Sequence, residues 1–130
     1  MKSLLIHLLL AICLIGKIRT ELDYGYHNYA SINSTLYAFQ NKFPDKVWLY
    51  SIGKSVKNRD LLVVAIADSK PNQHIKLRPE AKYIGNMHGN EVPSKEILLH
   101  LIDYMLNNQS NDPSVDYVMK NTRLHILGIL

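Results

Sequence analysis

The chain has one cysteine in 130 residues, Cys13, and it stands inside an apolar run at the very start. Loss of that run on export would leave neither thiol nor disulfide, which excludes a disulfide-stapled scaffold and cysteine chemistry. Charge of one sign is equally scarce. Fifteen Lys+Arg against 11 Asp+Glu give a formal charge of +4, and Lys2, Lys17 and Arg19 lie in the leading segment, so its removal would leave +1. An excess that small, with no cationic stripe, excludes nucleic acid and anionic membrane surfaces as partners. Only six glycines and five prolines are present, without any repeat, so collagen-like and low-complexity classes also fall away. With 47% hydrophobic and 20% charged residues, the chain has the composition and length of about one globular domain.

The leading segment opens on Met1-Lys2-Ser3 and is apolar from Leu4 to Ile15 apart from His7, before Gly16, Lys17 and Arg19 restore polarity. That is the shape of a secretory signal peptide. A run of about 12 residues spans roughly 18 Å as a helix, well short of the roughly 30 Å hydrocarbon core, so no membrane anchor is expected from it. Residues 1–20 are therefore expected to be a signal peptide, residues 21–130 the domain that follows, and the protein to be secreted or held in the secretory pathway. In that compartment the sequons at Asn33 and Asn108 are candidate glycosylation sites.

Apolar positions at Tyr29, Ile32, Leu36, Phe39 and Phe43 step by three or four and predict a helix ending near Pro44. Val47 to Ile52 and Leu61 to Ala67 predict a hairpin closed by the polar stretch from Gly53 to Asp60, its second strand buried on both faces. Asp68 to Glu80 reads as a surface loop and Lys82 to Asn86 as a short strand. Pro93 can occupy a helix's first turn, and the stripe Ile97, Leu98, Leu101, Ile102, Met105 and Leu106 carries that helix to about Asn107. A short helix over Pro113 to Asn121 and a strand over Thr122 to Leu130 complete an α/β order, and the closing apolar strand points to a larger domain cut short.

Chemistry is concentrated in Tyr83-Ile84-Gly85-Asn86-Met87-His88-Gly89-Asn90-Glu91, a strand running into a turn before a helix. An imidazole nitrogen and a carboxylate oxygen both ligate zinc at about 2 Å, and a two-residue gap lets one tight turn aim His88 and Glu91 at a single ion. Ligands of open α/β sheets gather at strand carboxyl ends, where this turn sits. On the spacing alone, a surface turn whose carboxylate answers the helix dipole remains the alternative.

Four stretches now carry a resemblance: Tyr26-His27-Asn28-Tyr29, Leu49 to Asp60 (LYSIGKSVKNRD) with the apolar run after it, Lys82 to Val92 (KYIGNMHGNEV) with its helix, and Asn121 to Ile126 (NTRLHI). In this order over residues 26 to 126 the chain resembles the zinc metallocarboxypeptidases, in the branch of carboxypeptidases N, E, D and M. The resemblance implies the N-terminal part of a mixed, twisted sheet with helices on both faces, truncated here. It further implies one Zn2+ that polarises the scissile carbonyl and activates water, with peptide or protein C-termini as substrates and C-terminal Lys or Arg preferred. His88 and Glu91 match the family's first two metal ligands. The third, a histidine on the order of a hundred residues further on, would lie past Leu130, as would the catalytic glutamate, the carboxylate-clamping arginines and the pocket tyrosine. Leu127-Gly128-Ile129-Leu130 also departs from the family's usual continuation, Met-Pro-Ser-Met-Asn-Pro-Asp-Gly. The chain is accordingly expected to be incomplete and inactive alone, with a non-catalytic secreted binding protein of the same fold as the alternative.

The remaining polar residues are expected to be structural. His125 reads as a strand residue rather than a third ligand, Arg123 as a partner within the sheet, His100 as solvated, His74 as a loop residue and His27 as packed near the mature start. Gly53-Lys54-Ser55 lacks the glycine that a phosphate loop needs five residues earlier, where Trp48 stands, so nucleotide binding is excluded. Asp103 and Asp116 have no second carboxylate spaced for acid/base work.

Overall fold

The computed structural model describes residues 22–128; the signal-peptide reading, and Cys13 with it, lies outside the described residues. The order is α1 (Tyr29–Lys42), β1 (Val47–Lys54), β2 (Asp60–Ile66), β3 (Glu80–Ile84), α2 (Val92–Asn108), α3 (Pro113–Asn121) and β4 (Arg123–Leu127). Helix α1 starts where the Asn28 side chain accepts the Ser31 N–H at 3.0 Å and stops at Lys42, two residues before Pro44, whose ring disfavours helical backbone in Phe43. Its Ile32, Leu36 and Phe39 are buried, the spacing of one helical face.

Strands β1 and β2 form the expected hairpin, in register from Val47 opposite Ile66 to Ser51 opposite Leu62, with an irregularity at Gly53 before Lys54 meets Asp60. Gly53 has φ of 139°, open to glycine and strained for other residues. The sheet order is β1-β2-β4-β3: β4 returns antiparallel to β2 and parallel to β3, the α2–α3 pair forming the crossover that a parallel pair requires. Central position explains why Val64, Ala65 and Ile66 are buried on both faces, as the Val-rich run predicted.

Alternate strand positions sort the two faces of the sheet. Val47, Val64, Ile66, Leu124 and Ile126 meet the apolar stripes of all three helices in one core, with Leu98, Leu99, Ile102, Met105 and Leu106 from α2 and Val115 and Met119 from α3. On the other face Trp48 stacks on Tyr50 at 4.7 Å, and Tyr50 meets the His125 ring edge-on at 5.9 Å.

Strand β3 runs over 80–84 rather than the predicted 82–86. Glu80 pairs with Arg123 at its start, while Asn86 turns out of the strand with φ of 51°. Helix α2 has the predicted extent, with Pro93 in its first turn, where no N–H is needed, but of the predicted stripe Ile97 is 65% exposed, and Leu99 is buried in addition. No described helix is long and apolar enough to cross a membrane.

Candidate metal centre

The end of β3 is held on two sides. Gly85 N–H still donates to Leu127 O at 2.9 Å, extending the parallel ladder by one bond, and α2 packs onto the same residue. A Cβ built on Gly85 would stand 2.7 Å from Leu98 Cδ1 and 3.2 Å from the Ser94 backbone, so the close approach of strand end and helix start depends on glycine. Gly85→Ala is expected to cost about 1–3 kcal/mol by overpacking and to push the helix start away from the sheet, which urea unfolding would measure.

Beyond Gly85, Asn86 enters the left-handed region and donates its N–H to Ser94 Oγ at 2.6 Å. Its own Oδ1 is buried without a partner. The turn then closes, with Glu91 N–H donating to His88 O at 2.9 Å. Glu91 occupies the N-cap position of α2, yet its carboxylate makes no capping bond. Instead it reaches back, accepting the His88 backbone N–H at 3.1 Å and Nδ1–H at 2.9 Å. These bonds, the imidazole's first among them, hold the Glu91 carboxyl below the usual carboxylate range. Both side chains face solvent, His88 74% and Glu91 47% exposed.

The pair meets the first test of a shared ion. Donor atoms 2.9 Å apart can each lie about 2 Å from one point, and one neutral imidazole with one carboxylate is a donor set that zinc takes. Among the described residues no third His, Cys, Asp or Glu stands beside them.

The other histidines are engaged elsewhere. His125, buried, bonds Tyr50 OH through Nδ1 at 2.9 Å and Glu80 through Nε2 at 3.2 Å; desolvation, then Arg123, push its pKa down. Arg123 pairs with Glu80 at 2.7 Å, and exposed His74 bonds the same carboxylate at 2.8 Å. Glu80 is thus the hub of a four-residue cluster, a role that its place at the end of an apparent loop did not reveal. His27, buried as expected, pairs with Glu96 at 2.7 Å. Lys95 donates to His27 O and lies 3.7 Å from the Tyr26 ring centre, so the segment before α1 is fastened to α2. Buried Lys95 was not anticipated, because a lysine on a helix reads as solvated. His100 stacks on Tyr24 at 4.3 Å rather than standing free in solvent. Asp103 accepts from Asn107, and Asp116 pairs with Lys120 at 2.8 Å.

The sequon asparagines sit differently. Asn33, on α1, lines the crevice between that helix and the sheet, and Asn108 ends α2 with its amide donating to Tyr104 O at 2.9 Å; both are half-buried.

Comparison with known proteins places this geometry. Residues 32–130 match the family model described as zinc carboxypeptidase. Human carboxypeptidase D is 45% identical over 105 residues, covering 81% of this chain and 8% of that protein. The catalytic chain of rat carboxypeptidase N is 40% identical over 119 residues, covering 91% of this chain and 26% of the relative. The solved carboxypeptidase A of Helicoverpa armigera superposes with a TM-score of 0.73 at 20% identity, over 98% of this chain and 31% of that one, which shows a shared fold. The chain therefore spans about a quarter or less of the length of these two curated relatives, and the expectation drawn from its four matching stretches holds: it belongs to the zinc carboxypeptidase family.

Proposed function

We propose that His88 and Glu91 are two of the three protein ligands of a catalytic zinc, and that the complete domain to which residues 21–130 contribute removes C-terminal residues, Lys or Arg foremost, from peptides or proteins in the secretory pathway. The observation that carries this reading is the 2.9 Å pairing of His88 and Glu91 at the carboxyl end of β3, in a chain of this family. Zinc held there would act as a Lewis acid on the scissile carbonyl and lower the pKa of a bound water.

The contribution of this chain is positional and electrostatic. Gly85 and Asn86 deliver the turn to the strand's end; His88, in the tautomer that carries its proton on Nε2, would offer Nδ1 to the metal, and the Glu91 carboxylate, held below the usual carboxylate range, would supply negative charge. Two ligands do not make a catalytic site, which takes three and an open position. The third ligand, the general base and the carboxylate clamp would come from sequence outside these 130 residues, and the chain alone is inactive in this reading. Asn33 and Asn108 remain the candidate glycan acceptors.

Zinc titration of the chain tests the pair. His88→Ala and Glu91→Ala should each weaken binding at least about tenfold, as expected when a ligand is lost from a site where even outer partners are worth 10–100-fold, while His74→Ala should change nothing. Equal affinity in wild type and both ligand variants would overturn the assignment.

A further inference from the structure

We propose that Ser94 is the positioning residue of the His88–Glu91 turn; the proposal rests on the reading of that pair as metal ligands. The turn leaves β3 at Gly85 and enters α2 at Val92, and the Ser94 hydroxyl touches both of its ends. Its Oγ accepts the Asn86 N–H at 2.6 Å and donates to Glu91 O at 2.7 Å. The hydroxyl thus acts as a strut between the residue where the chain turns left-handed and the residue that carries the carboxylate. Its placement is fixed in turn by Gly85, whose missing side chain lets the Ser94 backbone approach the strand.

The contacts at Glu91 O also bear on where the Glu91 side chain points. A residue in the N-cap position ordinarily turns its side chain onto the backbone N–H two or three residues ahead. Here the Ser94 N–H is satisfied by Glu91 O at 3.1 Å, and the same oxygen takes the hydroxyl. The Glu91 carboxylate is left free to turn back to His88, the orientation that brings the two donor atoms together. Without the hydroxyl, the Asn86 N–H, on a residue only 9% exposed, loses its acceptor, and the start of the turn is released from its end.

Groups one step removed from a metal and orienting its ligands typically matter 10–100-fold in affinity. Ser94→Ala in the full chain should therefore weaken zinc binding by about that factor. The pair Ser94→Thr and Ser94→Val isolates the hydroxyl at nearly constant shape: Thr should stay within about threefold of wild type and Val should match Ala, with circular dichroism verifying that each is folded. In the metal-free chain, nitrogen NMR of His88 should show its Nδ1–H bonded to Glu91 in wild type and Ser94→Thr, and lost in Ser94→Ala and Ser94→Val. Unchanged zinc affinity in Ser94→Val, with binding abolished by His88→Ala, would overturn the role of Ser94 and leave the ligand pair standing. Zinc binding indifferent to His88→Ala would overturn the ligand pair itself. Persistence of the His88–Glu91 bond in Ser94→Val would overturn the strut whether or not zinc binds.

Discussion

Replacing Glu80 with alanine is expected to destabilise the fold by about 3 kcal/mol, the lower part of the range for breaking a buried ion pair from one side. The loss comes from what remains behind. Arg123 is 91% buried by side chain, pairs with Glu80 at 2.7 Å, and would keep only the Pro71 carbonyl at 3.3 Å, with its Nε already unpartnered. His125, equally buried, would lose the acceptor of its Nε2–H. Glu80 itself is partly open to water, which keeps the value from rising further. His74→Ala, which removes an exposed partner of the same carboxylate, should cost well under about 1 kcal/mol. The two variants separate a buried pair from a solvated one in a single urea series. The pH dependence follows from the same contacts. The Arg123 hydrogen bond foremost, then those from His74 and His125, draws the Glu80 pKa down to about 2 from its ordinary 4.5. A carboxylate with a depressed pKa contributes its stability above its unfolded pKa and loses it as the pH falls through the folded one. Wild type should therefore lose part of its stability between about pH 4.5 and pH 2 through this group, and Glu80→Ala should show a flatter acid limb.

Helix positions were legible because each helix covers one face of one core: the three-and-four spacing of Ile32, Leu36 and Phe39, and of Leu98, Ile102, Met105 and Leu106, is the burial pattern itself. The Val-rich run of β2 announced a central strand for the same reason. The sheet order was not legible, since the insertion of β4 between β2 and β3 is a long-range pairing that leaves no local periodicity. The start of β3 was misplaced because Glu80 looks like loop and is drawn into the sheet by Arg123, some forty residues away. At the site, His88 and Glu91 could be named from spacing and family resemblance. The part played by Ser94 could not, because a serine in a first helical turn is usually a cap residue and only the three-dimensional contact shows it bonded to both Asn86 and Glu91. Lys95 and Glu96 were missed likewise: their partner His27 lies nearly seventy residues upstream.

A transplant should convert the proposed chemistry into a rate. Residues 22–128 of this chain, exchanged for the segment they match in the catalytic chain of rat carboxypeptidase N, are expected to give a carboxypeptidase whose activity depends on zinc. Two features favour the graft. The core between helices and sheet is made within these residues, and the match to the recipient covers 91% of this chain at 40% identity. The surface left for the recipient to cover is the free edge of β3, where Tyr83 and Ile84 are about half exposed, and the face that bears Trp48 and Tyr50. In the chimera, His88→Ala should lower kcat/KM by at least about 10³-fold. Deleting a single oxyanion donor already removes roughly 10²–10³, and losing a ligand weakens both carbonyl polarisation and water activation. Glu91→Ala should do the same, and His74→Ala should leave the rate within about twofold because that residue touches only the Glu80 cluster. A folded chimera that is inactive, or one whose rate survives His88→Ala, would refute the assignment of zinc to this turn. Loss confined to His88→Ala and Glu91→Ala would locate the metal at the end of β3, where strand, left-handed Asn86 and helix start converge.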